Sequence, residues 1–103
     1  ELKWIAEFAD LHNIQMAPHG TVDGLIGLAA HVHVGAAMPQ NFIAFELPSG
    51  KPDWWWDILE GVDAYQVKDS HIEVNDSPGL GISFRVEETK RYLSEEDAAF
   101  FDD

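Results

Sequence analysis

Two apolar runs, each too short for a helix and each ending in a group that can carry a proton, limit what this chain can fold into. The first, Ile14-Gln-Met-Ala17, stops at Pro18 with His19 and Gly20 behind it; the second, Asn41-Phe-Ile-Ala-Phe-Glu46, ends in a carboxylate. One helix length of chain lies between them. Strand, helix and strand with short connections make a βαβ unit, whose right-handed crossover sets the two strands parallel. Their carboxyl ends then lie side by side, and in barrels and open α/β sheets that edge is where chemistry is done.

The flanking segments fit this frame. Leu2, Ile5, Ala6 and Ala9 recur at helical spacing, with Glu1, Lys3, Glu7 and Asp10 mostly opposite. That helix should close near His12-Asn13, because Asn tolerates the left-handed conformation that ends helices. After the loop His19–Asp23, a second helix is expected from about Gly24 to Met38. Its stripe is Leu25, Leu28, Ala29, Val32 and Ala36, with Asp23 as N-cap and Pro39 as stop. Gly24, Gly27 and Gly35 weaken it, so packing must hold it in place. The run Asn41–Glu46 reads as a strand covered on both faces, and a single βαβ unit cannot supply that cover. Further strands must come from elsewhere.

Beyond Glu46 the character changes. Leu47 to Asp53 is loop chemistry, and Trp54-Trp-Trp56 with Asp57 to Glu60 reads as a short helical turn. Extended runs are expected at Ala64–Lys68 and His71–Val74, joined by a tight turn at Asp69-Ser70, and again at Ile82–Val86. A short helix, Glu87–Leu93, places Lys90 and Arg91 at its C-terminal end, where cations are favoured. This part reads as a separate antiparallel layer, poor in core of its own, that packs on something outside the chain.

Composition narrows the partners. The chain has 103 residues, 46% of them hydrophobic, enough for one domain with a core. No apolar run reaches the ~18 residues of a membrane span, so a soluble protein is expected. Nineteen acids against six bases give a net charge of −13, which repels nucleic-acid backbones and anionic membranes. Cysteine is absent, which excludes thiolate metal sites and suits a cytoplasmic enzyme. The chain opens in helix pattern without Met, cap or leader, as though cut from something longer.

The order of motifs, "NIQMAPHG", "DGLIGLAAHVHVGAAMPQNFIAFE", "KDSHIEVNDSPGLGI" and "RYL", resembles the C-terminal end of the mandelate racemase and muconate lactonizing branch of the enolase superfamily, especially its acid-sugar dehydratases. The likeness covers nearly the whole chain. It implies an α/β protein: a C-terminal fragment of a modified (β/α)8 (TIM) barrel, contributing the last two strands, plus the C-terminal part of an α+β capping domain. Residues 1–53 would then end the barrel domain and residues 54–103 would return to the cap. The resemblance also implies Mg²⁺, held by carboxylates on earlier strands, which together with a Lys acid/base and an Asp partner for His19 lie outside this sequence. A small sugar acid is the implied substrate and a homo-oligomer the implied assembly.

His19 can be a turn histidine bonded to backbone or a general acid/base at a barrel mouth, and position alone leaves both open. The match to the His of the APHG motif favours the second. Abstracting a proton α to a carboxylate, then expelling a β-hydroxyl, needs a group that works in both protonation states near neutral pH. Glu46 is either a solvent-facing strand-end acid or, by resemblance, a catalytic group beside the substrate carboxylate that stabilises the enolate. His19 and Glu46 would therefore both be catalytic and both touch substrate; Leu47-Pro48 after the acid departs from the racemase pattern. His31 and His33, two apart on a helix, project about 200° from each other and cannot chelate one ion. Trp54, Trp55 and Trp56 read as interface surface rather than a sugar platform. Pro78-Gly-Leu-Gly81 reads as turn geometry needing positive φ, not as a phosphate loop.

The expected activity is thus that of part of an Mg²⁺-dependent acid-sugar dehydratase, inactive by itself for want of metal ligands. The alternatives are a racemase, epimerase or cycloisomerase of the same superfamily, a non-catalytic truncated piece, or a small carbohydrate-binding module using the tryptophans.

Overall fold

The computed structural model describes residues 1–20, 23–44, 46–47 and 50–102. Parts of three expected segments therefore lie outside the described residues: Thr21 and Val22 of the first loop, Phe45 of the second run, and Pro48 and Ser49 of the next loop. Helix α1 spans Leu2–Leu11 and closes through Asn13, whose φ is +56°. The Ile14 amide donates to Ala9 O at 2.9 Å and the Asn13 amide to Asp10 O at 3.0 Å. Those two bonds satisfy carbonyls that a helix end leaves unpaired.

The chain then runs to Met16, which bridges Phe42 in parallel. Met16 N–H donates to Asn41 O at 2.8 Å, and Ile43 N–H to Met16 O at 3.0 Å. The two runs are neighbours and parallel, as expected, but among the described residues they join through a single bridge rather than as strands, and they are covered only in part. Ile14 and Ile43 are each 56% exposed, and among the described residues no further strand or helix lies over them. The Asn41 side-chain amide ties the pair to α1, donating to Ala6 O at 2.9 Å and to Ile14 O at 3.0 Å.

Helix α2, Gly24–Ala36, ends two residues short of Met38, whose amide caps back to Gly35 O. Its buried stripe is Leu25, Leu28, Ala29, Val32 and Gly35. Gly35 takes the place expected of Ala36, and a methyl on it would stand 3.3 Å from the Phe42 ring. The crossover helix packs that closely on the second run. Asp23 holds the N-cap position without a side-chain cap bond.

The second part departs further from expectation. Helix α3 is one turn, Trp54–Asp57, and Leu59–Glu60 is strand β1, not helix. Strand β1 pairs antiparallel with β2, Ser83–Phe84, in the register Leu59 to Phe84. Gly61, at φ +80°, then turns the chain into a 3-10 helix, Val62–Tyr65, where an extended run was expected. Gly61 is needed twice over: a Cβ there would lie 2.1 Å from Gly81 O. Val62 and Tyr65 both face α2 from this turn, which an alternating strand could not arrange at a spacing of three. The hairpin shrinks to one bridge, Lys68 to His71, around Asp69 (φ +49°) and Ser70 (φ +63°). Helix α4 is Val86–Lys90, starting and ending earlier than its pattern implied. Lys90 lies 2.9 Å from Asp102, and that hydrogen bond raises its pKa.

Leu25, Leu28, Ala29 and Val32 form one core with Leu59, Val62 and Tyr65. The C-terminal part thus rests on α2, so it has a core inside the chain. Each buried Leu or Val contributes about 1.5–3 kcal/mol, which offsets the glycines of α2. Helix α1 does not join this core: Trp4, Ile5, Phe8 and Leu11 are all exposed. Accordingly the radius of gyration is 15.8 Å, against about 13 Å for a compact domain of 100 residues. The accessible surface is 7354 Å², about 1,500 Å² more than a compact chain of this mass exposes. Among the described residues no helix is long and apolar enough to cross a membrane.

Candidate functional site

His19 and Glu46 meet. Nε2 of His19 lies 2.9 Å from Oε2 of Glu46, and both side chains are open to solvent, 64% and 63% exposed. The backbone brings this about. Pro18 has no N–H to continue the ladder, and its carbonyl accepts from the Glu46 amide at 3.1 Å. Between Met16 and Pro18 the pairing advances by one residue, which sets Glu46 level with His19. An imidazole against a carboxylate at the adjoining ends of two parallel segments can hold a proton between them and pass it to a third group. The open side leaves room for that group.

The other histidines separate as the helical spacing requires. His31 faces back toward the His19 turn, with Nδ1 3.8 Å from Asp23 Oδ2. His33 faces the C-terminal part, with Nε2 2.9 Å from the Tyr65 hydroxyl. Tyr65 is 2% exposed and its hydroxyl donates to Leu80 O. A phenol has one proton to give, so His33 Nε2 must be the donor to Tyr65, which fixes its tautomer. This three-membered chain was not foreseen. A helix histidine whose neighbour His31, two residues before it, must point away was its one signal in the sequence. His12 stays at the end of α1, 4.7 Å ring to ring from Phe8.

The tryptophans do not form one platform. Trp54 stacks on Tyr92 at 4.9 Å and meets Trp55 edge-on at 6.3 Å, while Trp55 and Trp56 pack against the core. The Lys51 ammonium stands 5.8 Å from the Trp56 ring, and partial burial lowers its pKa. Gly79 and Gly81 both have positive φ, as the turn reading requires.

A model of the enolase C-terminal domain-like family matches residues 1–89. The chain belongs to that family. Membership implies an α/β fold of the TIM-barrel type. This family member is also similar to curated proteins named as sugar-acid dehydratases. It is 34% identical to the D-xylonate dehydratase of Haloferax volcanii over 100 residues, 97% of this chain and 23% of that protein. To a D-galactonate dehydratase family member of Oceanicola granulosus it is 35% identical over 92 residues, 88% of this chain and 22% of that one. A further D-galactonate dehydratase family member, from Streptomyces bingchenggensis, is 34% identical over 84 residues, 79% and 19% of the two chains. The chain thus spans about a fifth of the length of the curated relatives it matches. No solved structure matches it.

Enolase superfamily members generally use Mg²⁺. Among the described residues no three histidines or carboxylates lie close enough to share one ion, so the donor set present does not fit a complete site of that kind.

Proposed function

We propose that this chain supplies the His19–Glu46 side of the active site of an acid-sugar dehydratase, with Ile14–Ala17 and Phe42–Glu46 as the seventh and eighth strands of its barrel. Residues 1–53 would close the barrel domain and residues 54–103 would belong to the cap. The observation that carries the reading is the 2.9 Å contact between the imidazole and carboxylate at adjoining ends of a parallel pair. The uncovered faces of Ile14 and Ile43, and the apolar residues left open on α1, support it further: they are where neighbouring barrel elements would pack.

In this reading a base takes the proton α to the substrate carboxylate, leaving an enediolate. His19, protonated, then gives its proton to the departing β-hydroxyl, which leaves as water. The enol that remains becomes a 2-keto-3-deoxy acid by tautomerisation. Glu46 orients the imidazole and stands beside the oxygens on which charge develops. Any Mg²⁺ would draw its ligands from residues other than these. A homo-oligomer and a cytoplasmic setting belong to the same proposal.

The test is a panel of aldonic acids with Mg²⁺, offered to the full-length polypeptide that carries this chain and to the 103 residues alone. The long form should release a 2-keto-3-deoxy product, and His19→Asn should lower kcat by about 10²–10⁴-fold. The 103 residues alone should turn nothing over. Exchange of the α-proton into D₂O without loss of water would point to a racemase or epimerase instead. Full activity of the His19→Asn variant would end the assignment of that residue.

A further inference from the structure

We infer that His31, with Asp23 beside it, is a positioning residue: its imidazole is the seat on which the Gly20 backbone rests, and through Gly20 it sets the direction of His19 toward Glu46. The inference rests on the reading of His19 proposed for the site and extends it to the residues that pack against its neighbour Gly20.

Two glycines mark the seat. Gly20 follows His19 directly, and its φ is not positive, so its missing side chain answers a need for space rather than for conformation. A Cβ at Gly20 would lie 2.9 Å from both Cε1 and Nδ1 of His31 and 3.0 Å from Asp23 Oδ2. Carbon atoms do not approach that closely without displacing something. On the far side of Asp23 stands Gly27, one turn into α2, where a Cβ would fall 2.1 Å from the Cβ of Asp23. Gly27, Asp23, His31 and Gly20 therefore form a close-packed series from the first turns of α2 to the residue beside His19.

Asp23 sacrifices something for this arrangement. It occupies the N-cap position of α2 without making a side-chain cap bond, although such a bond stabilises a helix by about 1 kcal/mol. Its carboxylate turns instead toward His31 Nδ1, at 3.8 Å. His31 itself is mostly enclosed, its side chain 22% exposed, whereas His19 is open. An enclosed ring beneath a glycine, adjacent to an open ring that must point one way, is how a supporting residue holds a reacting one in place.

The test has one readout that does not need turnover. In the 103-residue chain, the ¹H–¹⁵N ring signals of His19 report its contact with Glu46. His31→Ala and Gly20→Ala should each move those signals in the direction that Glu46→Gln moves them. The double variant Gly20→Ala/His31→Ala should move them back toward the parent, because removing the ring makes room for the added methyl. In the full-length polypeptide the same single variants should lower kcat about 10–100-fold with KM within about threefold. The double variant should recover at least threefold over Gly20→Ala. Recovery of that sign separates positioning from simple loss of fold, in which two destabilising changes would compound. His19 signals unmoved by His31→Ala, or a double variant no better than Gly20→Ala, would overturn the inference. The catalytic reading fails separately: it falls if His19→Asn keeps its activity, whatever His31 variants do to the ring signals.

Discussion

Replacing Tyr65 by Phe removes one oxygen from the largest fully buried side chain and leaves two partners behind. The hydroxyl donates to Leu80 O and accepts from His33 Nε2 at 2.9 Å. Without it the Leu80 carbonyl and the His33 N–H both lose their partner, and each loss costs about 1–3 kcal/mol where water does not enter. Leu80 and His33 are only half-buried, so water takes up part of the loss. The expected cost is about 1.5–2.5 kcal/mol. That corresponds to a fall of roughly 6–20 °C in melting temperature at about 4–8 °C per kcal/mol. His33→Ala should cost less, about 0.5–1.5 kcal/mol, because Tyr65 keeps its bond to Leu80 when the imidazole goes. The double variant should cost less than the two singles added together, since the shared bond can be lost only once. Urea unfolding of the 103-residue chain, followed by Trp fluorescence and far-UV circular dichroism, measures all three. A neutral Tyr65→Phe variant would show that Tyr65 acts by packing alone, and strict additivity would show that the His33–Tyr65 bond carries no stability.

Other expectations follow from single contacts. Asn41→Ala deletes the amide that bonds Ala6 O and Ile14 O, so it should cost about 2–3 kcal/mol and speed hydrogen exchange in α1 before α2; uniform faster exchange would refute a local tie. Ser70→Gly should stabilise by about 0.5 kcal/mol, because a left-handed φ of +63° costs an L-residue about 1 kcal/mol and the flexible unfolded glycine returns part of that. Ser70→Val should destabilise, and thermal melts that rank the two the other way would contradict the turn geometry. With a net charge of −13, the folded chain repels itself. Raising NaCl from 0.02 to 1 M, where the screening length falls to about 3 Å, should lift the melting temperature by about 4–8 °C; a fall would mean that specific ion pairs outweigh the repulsion.

What the sequence disclosed and what it hid divide along physical lines. The parallel pair and the meeting of His19 with Glu46 were legible because Pro18 and Glu46 punctuate apolar runs at a βαβ spacing. The helix closure at Asn13 was legible for a similar reason, since so few residues adopt positive φ without cost. The stretch after Trp54 was misjudged because its elements are two to five residues long and owe their shape to neighbours. Leu59 continues a helical pattern locally, yet it becomes strand because Phe84 lies alongside. Ala64 and Tyr65 alternate like a strand, yet they curl so that Val62 and Tyr65 can both reach α2. The seat beneath Gly20 was hidden differently: a glycine demanded by space looks the same in sequence as one demanded by conformation, until the imidazole against it is in place.

Helix α2 is the member on which both halves of the chain depend, and its sequence shows why it can serve both. Side chains two apart on a helix project about 200° from each other, so His31 and His33 necessarily serve different neighbours. One is set under the turn that carries His19, the other against Tyr65, and the apolar stripe between them fills the core. Gly24 opens the helix at φ +61°, and the two glycines inside it, Gly27 and Gly35, weaken it by about 2 kcal/mol relative to alanine. Both serve close packing: a Cβ on Gly27 would fall 2.1 Å from the Cβ of Asp23, and one on Gly35 would stand 3.3 Å from the Phe42 ring. The helix gives up intrinsic stability to let its neighbours come close, and that closeness holds the two strand ends, and with them His19 and Glu46, in register.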